Sequence, residues 1–241
     1  MSVDLVGTMH APVPLDRLVA TARETWARLL GLRTVPGIDV ITDRRFVQGR
    51  LVDAGRPLAP RELGTVLVGA CGGESPSGLD LAFRVAGSGD TVGLIEWDPC
   101  ESTDQSTDQS TDHELRQGHR EPVHAVFSPT RTCVGVVTAT ALALAAGSLG
   151  GGEFADAEIP MLEPSEPDPA RMIERTRLPD RGDDRTARCE RFMRQFTRLN
   201  GWPQEARLPP PRGSVRTPRA PALTAPTSPP YDGNPGPPTT D

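Results

Sequence analysis

A stretch of 21 residues without a charged side chain, residues 132–152, constrains the fold of this 241-residue chain more than any other feature. It is rich in alanine, and Ser128-Pro129 ahead of it has the residue types that begin helices. A helix of residues 129–146 has no polar face and must be buried, and its small side chains permit close approach to a sheet. Five glycines make the stretch too weakly apolar for a membrane span. The sequence therefore predicts a buried helix and no membrane partner.

The N-terminal part of the chain predicts a strand followed by a helix. Residues 3–9 alternate between apolar and polar side chains, which is the pattern of a half-buried strand. From Pro14, which suits a first helical position, apolar residues recur at helical spacing as far as Leu30. Gly31 then provides the helix end.

Six further segments have the composition of strands, and most are separated by short turns. They are residues 38–42, 46–52, 65–70, 79–86, 91–97 and 123–127. The turn Gly87-Ser-Gly89-Asp90 has hairpin residue types, so its flanking strands should be antiparallel. Because helices do not alternate with these strands, a doubly wound parallel sheet is excluded. The sequence predicts an α+β fold with a mainly antiparallel sheet covered by helices.

The rest of the chain predicts one domain with two segments outside its core. Residues 152–157 read as a short returning strand, and a helix capped by Asp183 or Asp184 should end at Asn200-Gly201. Residues 99–120 contain the repeat STDQSTDQSTD and are expected to be a flexible insertion. Residues 203–241 hold 12 of the 26 prolines and are expected to be a disordered tail. We therefore expect a single α+β domain over residues 1–202.

Composition excludes several classes of site. All 26 basic residues are arginine, so a Walker A lysine, a kinase lysine and a Schiff-base lysine are excluded. The glycine-rich segments 87–89 and 147–152 do not open a helix after a strand, so we expect no nucleotide cofactor. The N-terminus lacks the pattern of a secretory signal, which predicts a cytoplasmic protein with four free cysteines.

Two groups of residues have the residue types of enzyme sites. Gly69-Ala-Cys71-Gly-Gly73 has the spacing of a nucleophile elbow, but the helix that such a motif needs does not follow. His113, His119 and His124 stand near acidic residues, but their spacing is not that of a metal-binding motif, so we expect no metal. A small enzyme with a dispersed site stays an alternative, with Cys71 and His124 as its candidate residues.

Charge is distributed unevenly along the chain. Residues 99–168 carry 3 arginines against 12 acidic residues, a local charge of −9, whereas residues 169–202 carry 9 arginines against 5, a local charge of +4. The overall negative charge argues against a nucleic-acid partner. The acidic segment predicts a surface that attracts a basic protein. Its candidate partner-binding residues are Glu153, Asp156, Glu158, Glu163 and Glu166.

The layout resembles that of the small cytosolic immunity proteins that bacteria encode beside polymorphic toxins. The resemblance lies in the opening strand and helix of residues 3–30, the alanine-rich helix after Ser128-Pro129, and residues 150–156. It covers about half of the chain, and the repeat and the proline-rich tail depart from it. The resemblance implies a non-catalytic protein-binding protein that neutralises a toxin by covering its surface. An accessory protein recruited through its proline-rich tail is a further alternative.

Overall fold

The computed structural model describes residues 3–42, 45–47, 50–53, 55–70, 81–97, 121–156 and 161–196. The chain divides into two units, Met1–Arg207 and Leu208–Asp241, and the second unit lies outside the described residues. The expected flexibility of residues 99–120 and disorder of residues 203–241 therefore concern parts of the chain that the structure does not describe. The fold outlined below is that of the first unit.

Ten strands and five helices make up the described part of the chain. The strands are β1 Leu5–Met9, β2 Val13–Pro14, β3 Ile38–Thr42, β4 Arg45–Val47, β5 Arg50–Asp53, β6 Leu67–Val68, β7 Leu81–Val85, β8 Thr91–Trp97, β9 Val123–Pro129 and β10 Gly151–Ala155. The helices are α1 Leu15–Leu30, α2 Pro60–Leu63, α3 Cys133–Gly150, α4 Pro169–Thr176 and α5 Arg185–Arg194.

Six strands form one sheet in the order β10-β1-β9-β8-β7-β3, and every neighbouring pair is antiparallel. Strands β2 and β6 pair separately, as do β4 and β5. Helix α3 packs on β1, β9 and β10, and the helices α1, α4 and α5 pack against α3. The prediction of an α+β fold with an antiparallel sheet covered by helices is confirmed.

The central helix α3 is enclosed on all sides, because 16 of its 18 residues are buried. Its alanines allow the helix backbone to approach the sheet at Gly7, where an added Cβ would lie 2.5 Å from the Ala143 carbonyl oxygen. The same atom would lie 2.8 Å from the Ala146 Cβ. Gly7 in β1 and the small residues Ala143 and Ala146 in α3 thus allow one close contact between the sheet and the helix.

The predicted start of this helix at Ser128-Pro129 is wrong. Those two residues end β9, and the Ser128 hydroxyl donates to the Asp4 carboxylate at 2.6 Å. Thr132 caps α3 instead, since its hydroxyl oxygen accepts a hydrogen bond from the Gly135 amide at 2.9 Å. The Thr132 hydroxyl also donates to the Asp90 carboxylate, which fixes the helix start against the β7–β8 hairpin.

The other elements agree with the sequence to different degrees. Strands 38–42 and 91–97, the hairpin between β7 and β8, the returning strand after Gly150 and the cap at Asp184 are confirmed. The single strand predicted for residues 46–52 is wrong, because two paired strands occupy that region.

The helices depart from the sequence prediction in two further places. Helix α4 was not predicted, although the Asp168 carboxylate accepts hydrogen bonds from the Ala170 and Arg171 amides as its N-cap. Pro14 is the N-cap of α1 rather than its first residue, and Gly31 ends this helix in the left-handed conformation as predicted.

The contact between Gly7 and α3 leads to a stability prediction. Gly7→Ala should lower the free energy of unfolding by about 2–3 kcal/mol, because the new methyl group overlaps the α3 backbone and forces the helix from the sheet. Gly93→Ala is the matched control, since the atom nearest to its added Cβ is the Ser128 carbonyl oxygen at 3.9 Å. Urea denaturation of both variants measures the difference. Equal stability of the two variants would contradict the close packing.

Candidate functional site

The sheet has one face that the helices cover and one that no described helix covers. Side chains alternate along each strand, so Leu94 faces the core, and Ile95 and Trp97 face the other way. Ile95 is 60% exposed and Trp97 is 53% exposed, and they are the large hydrophobic side chains that stand exposed in the described part of the chain. We call the uncovered side of the sheet the open face.

Neighbouring strands extend this exposed pair into a patch. The register pairs Ile95 with Val126 and Val126 with Val6, and all three project on the open face. Trp97 pairs with His124, and their rings lie 5.2 Å apart between centroids at an angle of 32°. The open-face patch consists of Val6, Ile95, Trp97 and Val126. An apolar surface that lies on a rigid sheet and is bordered by polar residues is typical of protein–protein contact sites.

The two edges of the sheet are occupied by the chain itself. At the β3 edge, the Thr42 amide donates to the Arg56 carbonyl and the Leu58 amide donates to the Val40 carbonyl, each at 2.9 Å. At the β10 edge, the Phe154 amide donates to the Pro167 carbonyl at 2.8 Å. Backbone groups paired in this way are not free for a partner's strand. Among the residues that the structure describes, the open face is therefore the part of the sheet that no other segment pairs with or covers.

A cleft of about 810 Å³ adjoins the patch at the end of the sheet where β1 and β9 pair with their neighbours. Its ionisable lining residues are His10, His124, Glu153 and Asp168, and we call it the acidic cleft. Thr8 holds its wall together, because the Glu153 amide donates to the Thr8 hydroxyl at 2.6 Å. His124 lines the cleft and also stacks on Trp97, so the cleft and the open-face patch form one continuous surface. Among the described residues that line the cleft, none is an arginine.

The five predicted partner-binding residues differ in exposure and position. Glu153 and Glu163 are exposed, whereas Glu166 has only 13% of its side chain exposed and pairs with Arg175 at 3.2 Å. Glu158 lies outside the described residues. Of the five, Glu153 is the one that lines the acidic cleft.

Asp156 is a correction to the predicted set. Its side chain is buried, with 7% of the residue exposed, and its carboxylate accepts a hydrogen bond from the Met161 amide. Burial raises the pKa of Asp156 above its ordinary value of 3.8, because a carboxylate loses hydration there, while the hydrogen bond from Met161 acts in the opposite direction. Asp156 is thus bound to the Met161 amide and nearly buried, unlike the exposed Glu153.

The enzyme alternative named Cys71 and His124, of which only His124 lies within the described residues, where it stacks on Trp97. His113 and His119, weighed as metal ligands, also lie outside the described residues. Both described cysteines are buried, and burial raises the pKa of the Cys189 thiol to about 12 and that of Cys133 in the same direction. These thiols stay protonated at neutral pH. No group of three or more metal-ligating side chains occurs among the residues that the structure describes.

Helix α3 is long and apolar enough to cross a membrane by length and composition, with a mean hydropathy of 1.8 over 18 residues. In the fold, 89% of that stretch is buried against the sheet and the other helices. Most of its apolar surface is thus buried within the protein, as is usual for a core helix.

Comparisons with family models, with curated proteins and with solved structures find no match to this chain. The functional argument consequently depends on the geometry and chemistry of its own surface.

The sequence did not identify Ile95 and Trp97 as functional residues. In TVGLIEW the adjacent Leu94 and Ile95 are both apolar, so the alternation that separates a core face from a solvent face is blurred. The signal that was available is Trp97, an aromatic residue at the end of a strand with Glu96 and an acidic segment beside it. Its exposure depends on where the helices pack, which local sequence does not determine.

The buried carboxylate of Asp156 leads to a prediction about how the stability of the protein depends on pH. Its raised pKa means that the charged form of Asp156 destabilises the folded protein above that pKa, and the penalty disappears as the pH falls to 3.8. Asp156→Asn removes the buried charge and keeps a carbonyl oxygen for the Met161 amide. The difference in unfolding free energy, variant minus wild type, should therefore become more positive as the pH rises through the raised pKa of Asp156. Denaturation series at several pH values measure it, and a pH-independent difference would contradict the assignment.

Proposed function

We propose that this protein acts in the cytoplasm as a non-catalytic binding protein whose open face covers the surface of a basic protein. The observation that carries the proposal is the exposure of Ile95 and Trp97 side by side on a rigid central strand. Aromatic side chains on such surfaces contribute a large share of binding energy in protein complexes. The partner is expected to place an apolar side chain on this pair.

Charge supports a basic partner. The acidic cleft presents the exposed Glu153 beside the open-face patch, whereas the Asp168 carboxylate caps α4 and lies 3.9 Å from the Arg171 guanidinium. An arginine or lysine of the partner therefore has Glu153 next to the apolar contact. Complementary charge of this kind accelerates encounter and fixes orientation. The resemblance to immunity proteins makes a basic toxin encoded beside this gene the first partner to test.

The first prediction of this proposal concerns the apolar contact. Ile95→Ser combined with Trp97→Ser should weaken binding to a co-encoded basic toxin at least about 30-fold, the loss expected from one central interface residue. Because both side chains are exposed, the thermal midpoint should change little. Surface plasmon resonance gives the affinity. As a control for side-chain removal elsewhere, Arg17→Ser with Arg61→Ser alters exposed residues of α1 and α2 and should leave binding intact. Unchanged affinity of the double serine variant would overturn the proposal.

The second prediction separates charge from apolar contact. Glu153→Gln with Glu163→Gln should slow association at low salt and leave dissociation nearly unchanged, and the effect should shrink in high salt. Asp16→Asn with Glu24→Gln changes the net charge equally on α1, which packs on the covered side of the sheet through α3. An equal effect in this control would show that net charge acts, and not the position of Glu153 and Glu163.

A further inference from the structure

A second cleft, of about 860 Å³, lies on the helical side of the protein. One wall is the C-terminal end of α1 with Leu32 and Arg33, and the other is the segment from Glu174 to Arg181. We call it the arginine cleft. It shares no residue with the acidic cleft or with the open-face patch.

The two walls of the arginine cleft are fixed to each other by backbone hydrogen bonds. The Leu178 amide donates to the Leu29 carbonyl at 2.8 Å, and the Gly182 amide donates to the Gly31 carbonyl at 3.2 Å. The walls approach so closely that a Cβ on Gly31 would lie 2.4 Å from the Asp180 carbonyl oxygen. The cleft is thus pre-formed on the end of a helix.

A buried arginine adds further hydrogen bonds between the two walls of the arginine cleft. Arg188 is 6% exposed, and its guanidinium donates to the Leu30 carbonyl and to the Asp180 carbonyl. It thereby satisfies carbonyl groups at the end of α1 and in the opposite wall. The geometry of the cleft therefore does not depend on any bound molecule.

The lining of the arginine cleft carries more positive than negative charge. It contains four arginines and two carboxylates, namely Arg28, Arg33, Arg177, Arg181, Glu174 and Asp180. Each carboxylate is already engaged twice. Glu174 pairs with Arg28 at 3.0 Å and Arg177 at 3.1 Å, and Asp180 pairs with Arg191 at 2.8 Å and Arg188 at 3.4 Å.

The positive charges of two arginines in the cleft have little or no acidic partner nearby. Among the described residues, Arg33 has one acidic neighbour, Asp183 at 4.0 Å, and 68% of its side chain is exposed. Arg181 is exposed and forms no ion pair among the residues that the structure describes. Planar guanidinium groups bind phosphate oxygens through two parallel hydrogen bonds, which a rigid cleft favours.

We propose that the arginine cleft binds a small ligand with two or more linked phosphate groups, held mainly by Arg33 and Arg181. Its volume is in the range of small-molecule sites. None of the residues that line it is aromatic, so the cleft offers no platform on which a nucleic-acid base would stack. The recognised chemistry is the phosphate chain itself, free or as part of a nucleoside polyphosphate.

Calorimetry of the full chain with pyrophosphate and tripolyphosphate tests this site. Arg33→Gln with Arg181→Gln should weaken binding at least about tenfold, with an unchanged thermal midpoint because both side chains are exposed. Arg17→Gln with Arg61→Gln is the matched control, since it removes two exposed arginines and the same net charge elsewhere. Equal losses in the two double variants, or no binding to the wild-type protein at millimolar concentration, would overturn the proposal.

Further ligands separate the sources of the phosphate chemistry. ATP should bind about as tightly as tripolyphosphate, because the base adds no contact. If affinity instead rises with the length of a single-stranded oligonucleotide, the surface is a nucleic-acid site and the proposal is wrong. Ile95→Ser with Trp97→Ser should leave phosphate binding unchanged, so this site is judged independently of the proposed protein partner.

Discussion

The enclosure of α3 is the constraint on which the rest of the structure depends. A helix whose buried residues include Val136, Leu142 and Leu144 on different sides has little surface that faces water beyond Ser148 in its last turn. It needs a sheet on one side and further helices on the others, and the fold supplies β1, β9 and β10 on one side and α1, α4 and α5 around it. The described helices α1, α3, α4 and α5 therefore all lie on one side of the sheet. The open face is the side that these helices leave uncovered.

Much of this architecture was predictable because its causes are local. The hairpin residues Gly87-Ser-Gly89-Asp90 determine the pairing of β7 with β8, and Gly31 ends α1 through its backbone conformation. The start of α3 was not predictable from Ser128-Pro129, because the choice of Thr132 as the cap involves Asp90, 42 residues away. Helix α4 has only eight residues, too few for a clear periodic pattern, and its cap Asp168 stands in a proline-rich segment that reads as a loop.

The candidate sites were less predictable than the fold, since they consist of residues that are distant in sequence. Sequence identified an acidic segment, but it did not show that Asp156 turns inward to the Met161 amide or that Arg175 pairs with Glu166. The arginine cleft joins Arg33 to Arg181 across nearly 150 residues, through backbone contacts at the end of α1. A count of local charge marks residues 169–202 as basic, yet it does not distinguish Arg188, which is buried and structural, from Arg181, which is exposed.

Segregation of charge explains why a chain with a formal charge of −6 presents both an acidic and a basic surface. The two clefts meet at α4, because Asp168 and Ala170 at its start line the acidic cleft and Glu174 near its end lines the arginine cleft. A helix rises about 1.5 Å per residue, so Ala170 and Glu174 are only about 6 Å apart along the axis of α4. Screening at physiological ionic strength leaves electrostatic interactions a reach of about 8 Å, so the fields of the two clefts overlap at this helix. A charged ligand in one cleft is therefore expected to influence the other, and the local distribution of charge matters more for both than the net charge of the whole chain.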